Sequence, residues 1–180
     1  MSQREVVIGV TGGVAAYKTA TLVSRLAQAD IQVTTVMTDA AQQFVGAATF
    51  ASLSGRPVAT HLFDSSYPLG AHIEIARRAD LFCVAPATAD FLAKSANGLA
   101  DDLLSTLYLA FTGPVLMAPA MNAEMWAQPA VQRNVHQLIE DDVQMIGPEE
   151  GWLSCRDQGA GRMSEPETIL STIIDKLNSL

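Results

Sequence analysis

Short apolar runs separated by longer amphipathic stretches are the feature that most constrains this fold. Five such runs occur, at Val6–Val10, Ile31–Met37, Leu81–Ala85, Val115–Ala118 and Val143–Ile146. None shows the polar alternation of a sheet with one solvated face, and each is short enough to be a buried strand. Strands that alternate with helices predict an α/β fold, a doubly wound parallel sheet between two helical layers.

Cap and turn residues mark where the helices begin and end. Asp39 is predicted to cap a helix that Gly55 ends, and Gly98 is predicted to end a later one. Pro129 lies in the first turn of an amphipathic helix. The stretch Pro148–Met163 carries three glycines, so we expect a flexible, lid-like loop there.

Length and charge narrow the classes of function. The 180 residues are 49% hydrophobic and carry a formal net charge of -8. We expect residues 1–180 to form one domain, because no linker or repeat divides them. An acidic chain is not expected to bind duplex nucleic acid, although helix ends can hold a phosphate-bearing small molecule. No signal peptide or membrane span is recognisable, so a cytoplasmic protein without membrane contact is predicted.

The chain has two cysteines, Cys83 and Cys155, and they have different contexts. They form no CxxC pair and have no histidine at ligand spacing, so neither a metal site nor a disulfide framework is expected. Cys83 lies inside a predicted strand and belongs to the core. Cys155 lies among glycines beside Arg156, where the guanidinium favours the thiolate. It is either a reactive thiol or an incidental loop residue.

Ligands of doubly wound sheets bind beyond the carboxyl ends of the strands, which directs attention to four loops. Gly12–Val14 is either a phosphate-binding turn or a tight turn that needs glycine for geometry alone. Thr88 either begins a second anion-binding helix or serves only as an N-cap. The Thr38 hydroxyl is suited to hydrogen-bond a phosphate group of a ligand. Asn122 is placed to donate and accept hydrogen bonds beside apolar Met and Trp residues that we assign to packing.

Of the three histidines, His72 is the candidate for chemistry. It stands where a loop passes into a helix, a position from which an imidazole can act as a base. His136 lies on a polar helix face and His61 has no chemically useful neighbours in sequence.

Taken together and in this order, several segments resemble the flavin-containing cysteine decarboxylases. They are GVTGGVAAYK, HIEIARRADLFCVAPATADFLAK, NGLADDLL, APAMNAEMW and PEEGWLSCRDQGAGRM. The resemblance covers nearly the whole chain, and the Pro-Ala-Met-Asn and Gly-x-Gly-Arg-Met pieces are its most specific parts. It implies a Rossmann-like, three-layer flavoprotein subunit that binds FMN in trimers or larger assemblies of trimers such as a dodecamer, with the site at a subunit boundary.

The resemblance also implies roles for individual residues. His72 matches the active-site histidine, Asn122 the asparagine that holds the substrate carboxylate, and Cys155 the proton-donating cysteine of a substrate-clamping flap. The FMN-binding set would be Gly12, Gly13, Val14, Thr38, Thr88, Ala89, Asp90 and the backbone around Ala118. The substrate-binding set would be Met121, Asn122, Gly159, Gly161 and Arg162.

The implied substrate is phosphopantothenoylcysteine, a precursor of coenzyme A. Its cysteine part would be oxidised to a thioaldehyde, lose carbon dioxide to leave an enethiolate, and be reduced after protonation on carbon. Two alternatives stay open: a peptidyl-cysteine decarboxylase, which typically lacks the flap cysteine, and a non-catalytic flavin-binding regulatory subunit.

Two residues depart from the family pattern. Asp90 stands where the family usually has asparagine, and its carboxylate would repel a flavin phosphate unless it turns away. Arg156 stands where a glycine usually follows the flap cysteine. The chain also ends at Leu180, without the fused synthetase domain that many bacterial relatives carry, so a standalone enzyme or a truncated chain is expected.

Overall fold

A five-stranded parallel sheet forms the centre of the protein. The computed structural model describes residues 3–180, and Met1 and Ser2 lie outside the described residues. Its strands, in spatial order, are β2, β1, β3, β4 and β5, and every neighbouring pair is parallel. Their bounds are β1 Glu5–Val10, β2 Gln32–Met37, β3 Leu81–Ala87, β4 Val115–Pro119 and β5 Gln144–Met145. The predicted doubly wound α/β fold is thereby confirmed.

Helices cover both faces of the sheet. In chain order they are α1 Ala16–Gln28, α2 Ala47–Ser54, α3 Ala71–Arg78, α4 Ala89–Ala96, α5 Leu103–Ala110, α6 Ala123–Ala127, α7 Pro129–Glu140 and α8 Pro166–Asn178. The apolar residues of α1, α2 and α8 pack in one core cluster, and those of α3, α4, α5 and α7 pack in a second. The sheet separates the two clusters, which gives three layers.

Residues of β3 show why the strands lack polar alternation. Cys83 and Ala85 pack into the cluster of α1 and α8, whereas Phe82 and Val84 pack into the cluster on the other face. All seven residues of β3 are buried. A strand with helices on both sides needs apolar side chains at every position, because neither face meets water.

The segment after β2 differs from the prediction of one long helix capped by Asp39. Residues Ala41–Gln43 form a short 3₁₀ turn, and α2 begins only at Ala47, with Gly46 as its N-cap. Thr38, not Asp39, accepts the bond from the Ala41 amide through its hydroxyl, and Asp39 is exposed. The prediction was wrong on both points, because the Thr38 hydroxyl takes the bond expected of Asp39 and the extended backbone at Gly46 separates the turn from α2. Gly55 does end α2, in the left-handed conformation with φ 69°.

The glycine-rich stretch near the C-terminus is a β-hairpin rather than an irregular loop. Strands β6 Glu149–Trp152 and β7 Gln158–Arg162 pair antiparallel, and we call this segment the flap hairpin. Its three glycines lie where a side chain would not fit, so these strands lack the apolar runs by which the other strands were predicted.

Among residues 3–180, no helix combines the length and apolarity needed to cross a bilayer.

Candidate active site

A cavity of about 1350 Å³ opens at the carboxyl ends of the strands. Its wall comes from the loops that follow β1, β2, β3 and β4, together with residues 60–63 and the turn of the flap hairpin. The four loops are those that the topology rule predicted from the sequence.

Thr11 links the loop that leads into α1 to the loop that leads into α4 at this cavity. Its hydroxyl donates to the Pro86 carbonyl at 2.6 Å and accepts from the Thr88 amide at 3.1 Å. The residue is buried, so these bonds lie away from water and hold the loops after β1 and β3 together. The beginnings of α1 and α4 therefore face one volume.

The loop after β1 presents unpaired backbone donors. The amides of Gly12, Val14 and Ala15 donate to no protein acceptor among residues 3–180. A Cβ on Gly12 would overlap Ala40, so glycine lets this loop pack against the loop after β2. Free amides at the start of a thirteen-residue helix favour an anionic ligand.

Asp90 in α4 lies on the cavity wall, with its carboxylate beside a lysine. Its carboxylate is 76% exposed and lies 3.4 Å from Lys94 Nζ, while Thr88 caps the helix by accepting from Phe91. Burial lowers the pKa of Lys94, but its hydrogen bond to Asp101 and the nearby carboxylates outweigh that effect and raise the pKa. Lys94 therefore stays charged and partly offsets Asp90.

The loop after β4 is fastened to the flap hairpin. The Met121 amide donates to the Gly161 carbonyl at 2.9 Å, and a Cβ on Gly161 would overlap the Met121 carbonyl. Asn122 caps α6, its Oδ1 accepting from the Met125 amide at 2.8 Å. This bond fixes the Asn122 side chain at the cavity wall and leaves its Nδ2 donors for a ligand.

Cys155 occupies the turn of the flap hairpin, on the cavity wall. The turn is closed by bonds from the Arg156 amide to the Leu153 carbonyl and from the Leu153 amide to the Asp157 carbonyl. Cys155 is exposed, whereas Cys83 is fully buried, and burial raises the pKa of the Cys83 thiol to about 12. Of the two thiols, only Cys155 can exchange a proton with a ligand in the cavity.

Comparison with known proteins supports this geometry. The sequence matches the Flavoprotein family over residues 1–178. The chain belongs to the flavoprotein family. Coenzyme A biosynthesis bifunctional protein CoaBC of Haemophilus influenzae is 43% identical over 176 residues, which cover 97% of this flavoprotein and 44% of that protein. The chain thus spans less than half the length of that relative.

Solved structures resemble this flavoprotein over almost its whole length. The FMN-dependent cysteine decarboxylase SpaF superposes with a TM-score of 0.85 at 33% identity, over 99% of this chain and 97% of that one. A PPC decarboxylase mutant complexed with pantothenoylaminoethenethiol also gives 0.85, at 30% identity, over 96% and 97%. The predicted resemblance to flavin-containing cysteine decarboxylases is confirmed.

The cavity of this flavoprotein brings together most of the residues predicted from sequence. The following predicted residues lie on its wall: Gly12, Gly13, Val14, Thr38, Thr88, Ala89, Asp90, Met121, Asn122, Cys155, Gly161 and Arg162. Two predicted residues lie off it. Ala118 is fully buried in β4, and Ala120 reaches the wall in its place. A Cβ on Gly159 would come 2.8 Å from the Ala123 Cβ, so Gly159 serves the packing of the hairpin on α6.

His72 is the third predicted residue that the cavity of a single chain does not include. It follows Gly70, whose φ of 95° turns the chain into α3. Its Nδ1 is buried and has no hydrogen-bond partner among the described residues. A buried ring nitrogen without a hydrogen-bond partner is costly.

Parts of the wall were missed in the sequence, among them residues 60–63 and Lys18. A hydrogen bond from the Met37 amide to the Ala59 carbonyl holds the chain beside the end of β2, so residues 60–63 that follow line the cavity. No residue pattern in the sequence predicts this contact. Lys18 also lines the cavity. It could have been found, because it lies in the first turn of the helix that follows the predicted phosphate-binding loop.

Proposed function

We propose that this chain catalyses the FMN-dependent decarboxylation of phosphopantothenoylcysteine to phosphopantetheine. The observation that carries the proposal is a hairpin-borne thiol, Cys155, on the same cavity wall as Asn122, in a chain similar to both CoaBC and a PPC decarboxylase. The peptidyl-cysteine alternative is kept as an outcome of the test.

The residues of the cavity fit FMN. The amides of Gly12, Val14 and Ala15, together with Thr88 at the joined start of α4, form a cradle suited to its phosphate. Thr38, Ala89 and the wall at Ala120 would line the rest of the cofactor. When bound, FMN supplies a reversible two-electron store, which lets one cycle begin with oxidation of the substrate and end with its reduction.

Asn122 would hold the departing carboxylate. With Oδ1 committed to the Met125 amide, its Nδ2 donors suit a carboxylate oxygen. Once the substrate thiol carbon is oxidised to C=S, the carboxylate lies β to an electron sink. The C–C bond then breaks, its electron pair moves to sulfur, and carbon dioxide leaves an enethiolate.

Cys155 would complete the reaction as the acid. Reducing the enethiolate to a saturated thiol adds a proton to the carbon that lost carbon dioxide, a hydride equivalent (two electrons and a proton) to the carbon that bears sulfur, and a proton to sulfur. The exposed Cys155 thiol, carried over the cavity by the flap hairpin, would donate the proton to carbon. The hairpin would also exclude water from the reduced state.

The assay that decides the substrate offers two candidates to the FMN-loaded protein. Phosphopantothenoylcysteine and a peptide ending in cysteine are incubated separately, and products are read by mass spectrometry. We expect loss of carbon dioxide and a saturated thiol from the first, and none from the second. Turnover of the peptide alone would replace this function with the peptidyl-cysteine alternative.

Replacing the acid separates the two half-reactions. Cys155→Ser is expected to release carbon dioxide from phosphopantothenoylcysteine but to accumulate the enethiol with the flavin reduced. Full turnover by this variant, seen as saturated product and reoxidised flavin, would remove Cys155 as the acid.

We further propose that the active unit is a homotrimer in which a second copy supplies His72. The single-chain cavity lacks this histidine, and its Nδ1 has no partner within the described residues. Val14, Tyr17 and Phe63 are exposed at the cavity rim, where apolar side chains favour contact with another copy.

A further inference from the structure

Two cations share one carboxylate at the base of the flap hairpin. Lys18 Nζ in α1 lies 2.9 Å from Glu165 Oε1, and Arg162 Nη2 at the end of β7 pairs with the same oxygen. Glu165 stands at the N-cap of α8 but makes no capping bond with its side chain. Its carboxylate is used instead to join α1 to the flap hairpin.

The two cations differ in how many donors they have free. The Lys18 side chain is 11% exposed, and its ammonium also donates to the Met163 carbonyl at 3.2 Å. The Arg162 side chain is 38% exposed, lines the cavity and pairs only with Glu165 among residues 3–180. A guanidinium has five N–H donors, so most of those of Arg162 are available to a ligand.

The backbone of β6 also restricts Arg162. A Cβ on Gly151 would come 2.9 Å from both Arg162 Cδ and Nη1, so the side chain lies directly against the opposite strand. With Glu165 on one side and Gly151 on the other, few rotamers remain. Fixing a guanidinium before a ligand arrives removes part of the entropy cost of binding.

We propose that Glu165 is a positioning residue that aims Arg162 at an anionic group of the substrate, with Lys18 holding Glu165 in place. This rests on the proposed function, whose substrate carries a phosphate and a carboxylate. A guanidinium binds either oxyanion through two parallel hydrogen bonds, provided its plane is held at the right angle.

Glu165 remains ionised at neutral pH, as this role requires. The hydrogen bond from Lys18 is the main reason its pKa lies below the ordinary value, and Arg162 adds to the effect.

The test compares steady-state kinetics of wild type, Glu165→Gln, Arg162→Gln and the double variant. Gln at 165 keeps the size of the side chain and can still accept from Lys18, so the fold is retained. We expect Glu165→Gln to raise KM about tenfold, the scale of one charge-assisted hydrogen bond, with kcat unchanged. Glu167→Gln, an exposed position on the same helix, is the matched control and should leave KM unchanged.

The double variant shows whether Glu165 acts through Arg162. If it does, Glu165→Gln adds no further increase in KM once Arg162 is Gln. Additive increases would overturn the proposal, as would an unchanged KM or a fall in kcat alone in Glu165→Gln.

Unphosphorylated pantothenoylcysteine identifies the anion. A KM increase confined to the phosphorylated substrate assigns Arg162 to the phosphate, and an equal increase for both assigns it to the carboxylate. Failure of the wild type to use either compound would refute the proposed function. An active wild type with unaltered Glu165→Gln kinetics refutes only the role of Glu165.

Discussion

Burial separates two chemically identical side chains in this protein. Cys83 in β3 has helices on both sides, and Cys155 lies in an exposed turn. The thiolate is the reactive form, and an apolar core disfavours it. The same residue type is therefore inert at one position and available for chemistry at the other.

Alkylation should distinguish the two thiols. Native protein treated with iodoacetamide is expected to gain one adduct, at Cys155, and denatured protein two, because burial raises the Cys83 pKa to about 12 and blocks access. Intact-mass spectrometry and peptide mapping give the count and the site. The Cys155→Ser variant should gain none while folded; native labelling of Cys83 at the same rate would contradict this account.

At the scale of the element, the flap hairpin carries a strained residue in its turn. Arg156 has φ 66°, the left-handed conformation that costs a residue with a Cβ about 1 kcal/mol. The strain lies one residue from the Cys155 thiol and bears on how readily the turn opens.

Glycine at this position should stabilise the turn. For Arg156→Gly we expect the turn to be more stable by at most about 1 kcal/mol, because the relief of strain is partly cancelled by the greater freedom of glycine in the unfolded chain. This gain corresponds to about fivefold slower hydrogen exchange of the turn amides. Hydrogen exchange of the Leu153 and Arg156 amides measures it. Arg156→Ala keeps the strain and removes only the guanidinium, so equal protection in both variants would show that strain is not the cause.

The Glu165 carboxylate should make hairpin anchoring depend on pH. Its folded-state pKa is depressed, chiefly by the Lys18 hydrogen bond, so its contribution is complete above the unfolded value of about 4.3. It is lost as pH falls through the lower folded value. Thermal unfolding should show wild type more stable than Glu165→Gln at pH 7, with the difference vanishing in acid.

The exposed Glu167 provides the comparison for this pH dependence. Glu167→Gln should track the wild type at every pH. A difference between wild type and Glu165→Gln that persists unchanged below pH 3 would show that packing, not charge, anchors the hairpin.

At the scale of the whole molecule, the cavity of one chain gathers only two of the three proposed catalytic groups. Asn122 and Cys155 share a cavity wall that His72 does not reach. A closed ring of identical subunits can supply the missing group from a neighbour, since each head-to-tail interface is equivalent.

Complementation between two inactive variants tests the shared site. His72→Asn and Cys155→Ser chains, each inactive in full turnover, are co-expressed with different tags and purified together. If copies combine at random in a ring, about a quarter of sites receive both intact groups, so about a quarter of wild-type activity should return. Assay of the mixture beside each parent measures this, and a mixture as inactive as its parents would place His72 outside a shared site.

The sequence by itself determined the sheet and the loops that matter. Runs such as Val6–Val10 and Leu81–Ala85 required burial on both faces, and parallel strands necessarily bring their following loops to one edge. Gly12, Thr88 and Asn122 follow three of these strands and could therefore be expected at one edge of the sheet, whereas Cys155 was added only by the resemblance to the cysteine decarboxylases. Local signals of this kind are strong because burial and chain direction leave few alternatives.

Only the tertiary structure decided which groups meet. The flap hairpin was hidden because its strands are built from glycines that fit against Met121, Ala123 and Arg162, contacts distant in sequence. Asp39 does not cap the segment after β2, because the Thr38 hydroxyl accepts from the Ala41 amide instead. Likewise, Lys18 and Glu165 form an ion pair although they are 147 positions apart in sequence. His72 does not line the cavity, although its position at the end of a loop suggested that it would. Such pairings depend on packing between whole elements, which local residue patterns do not encode.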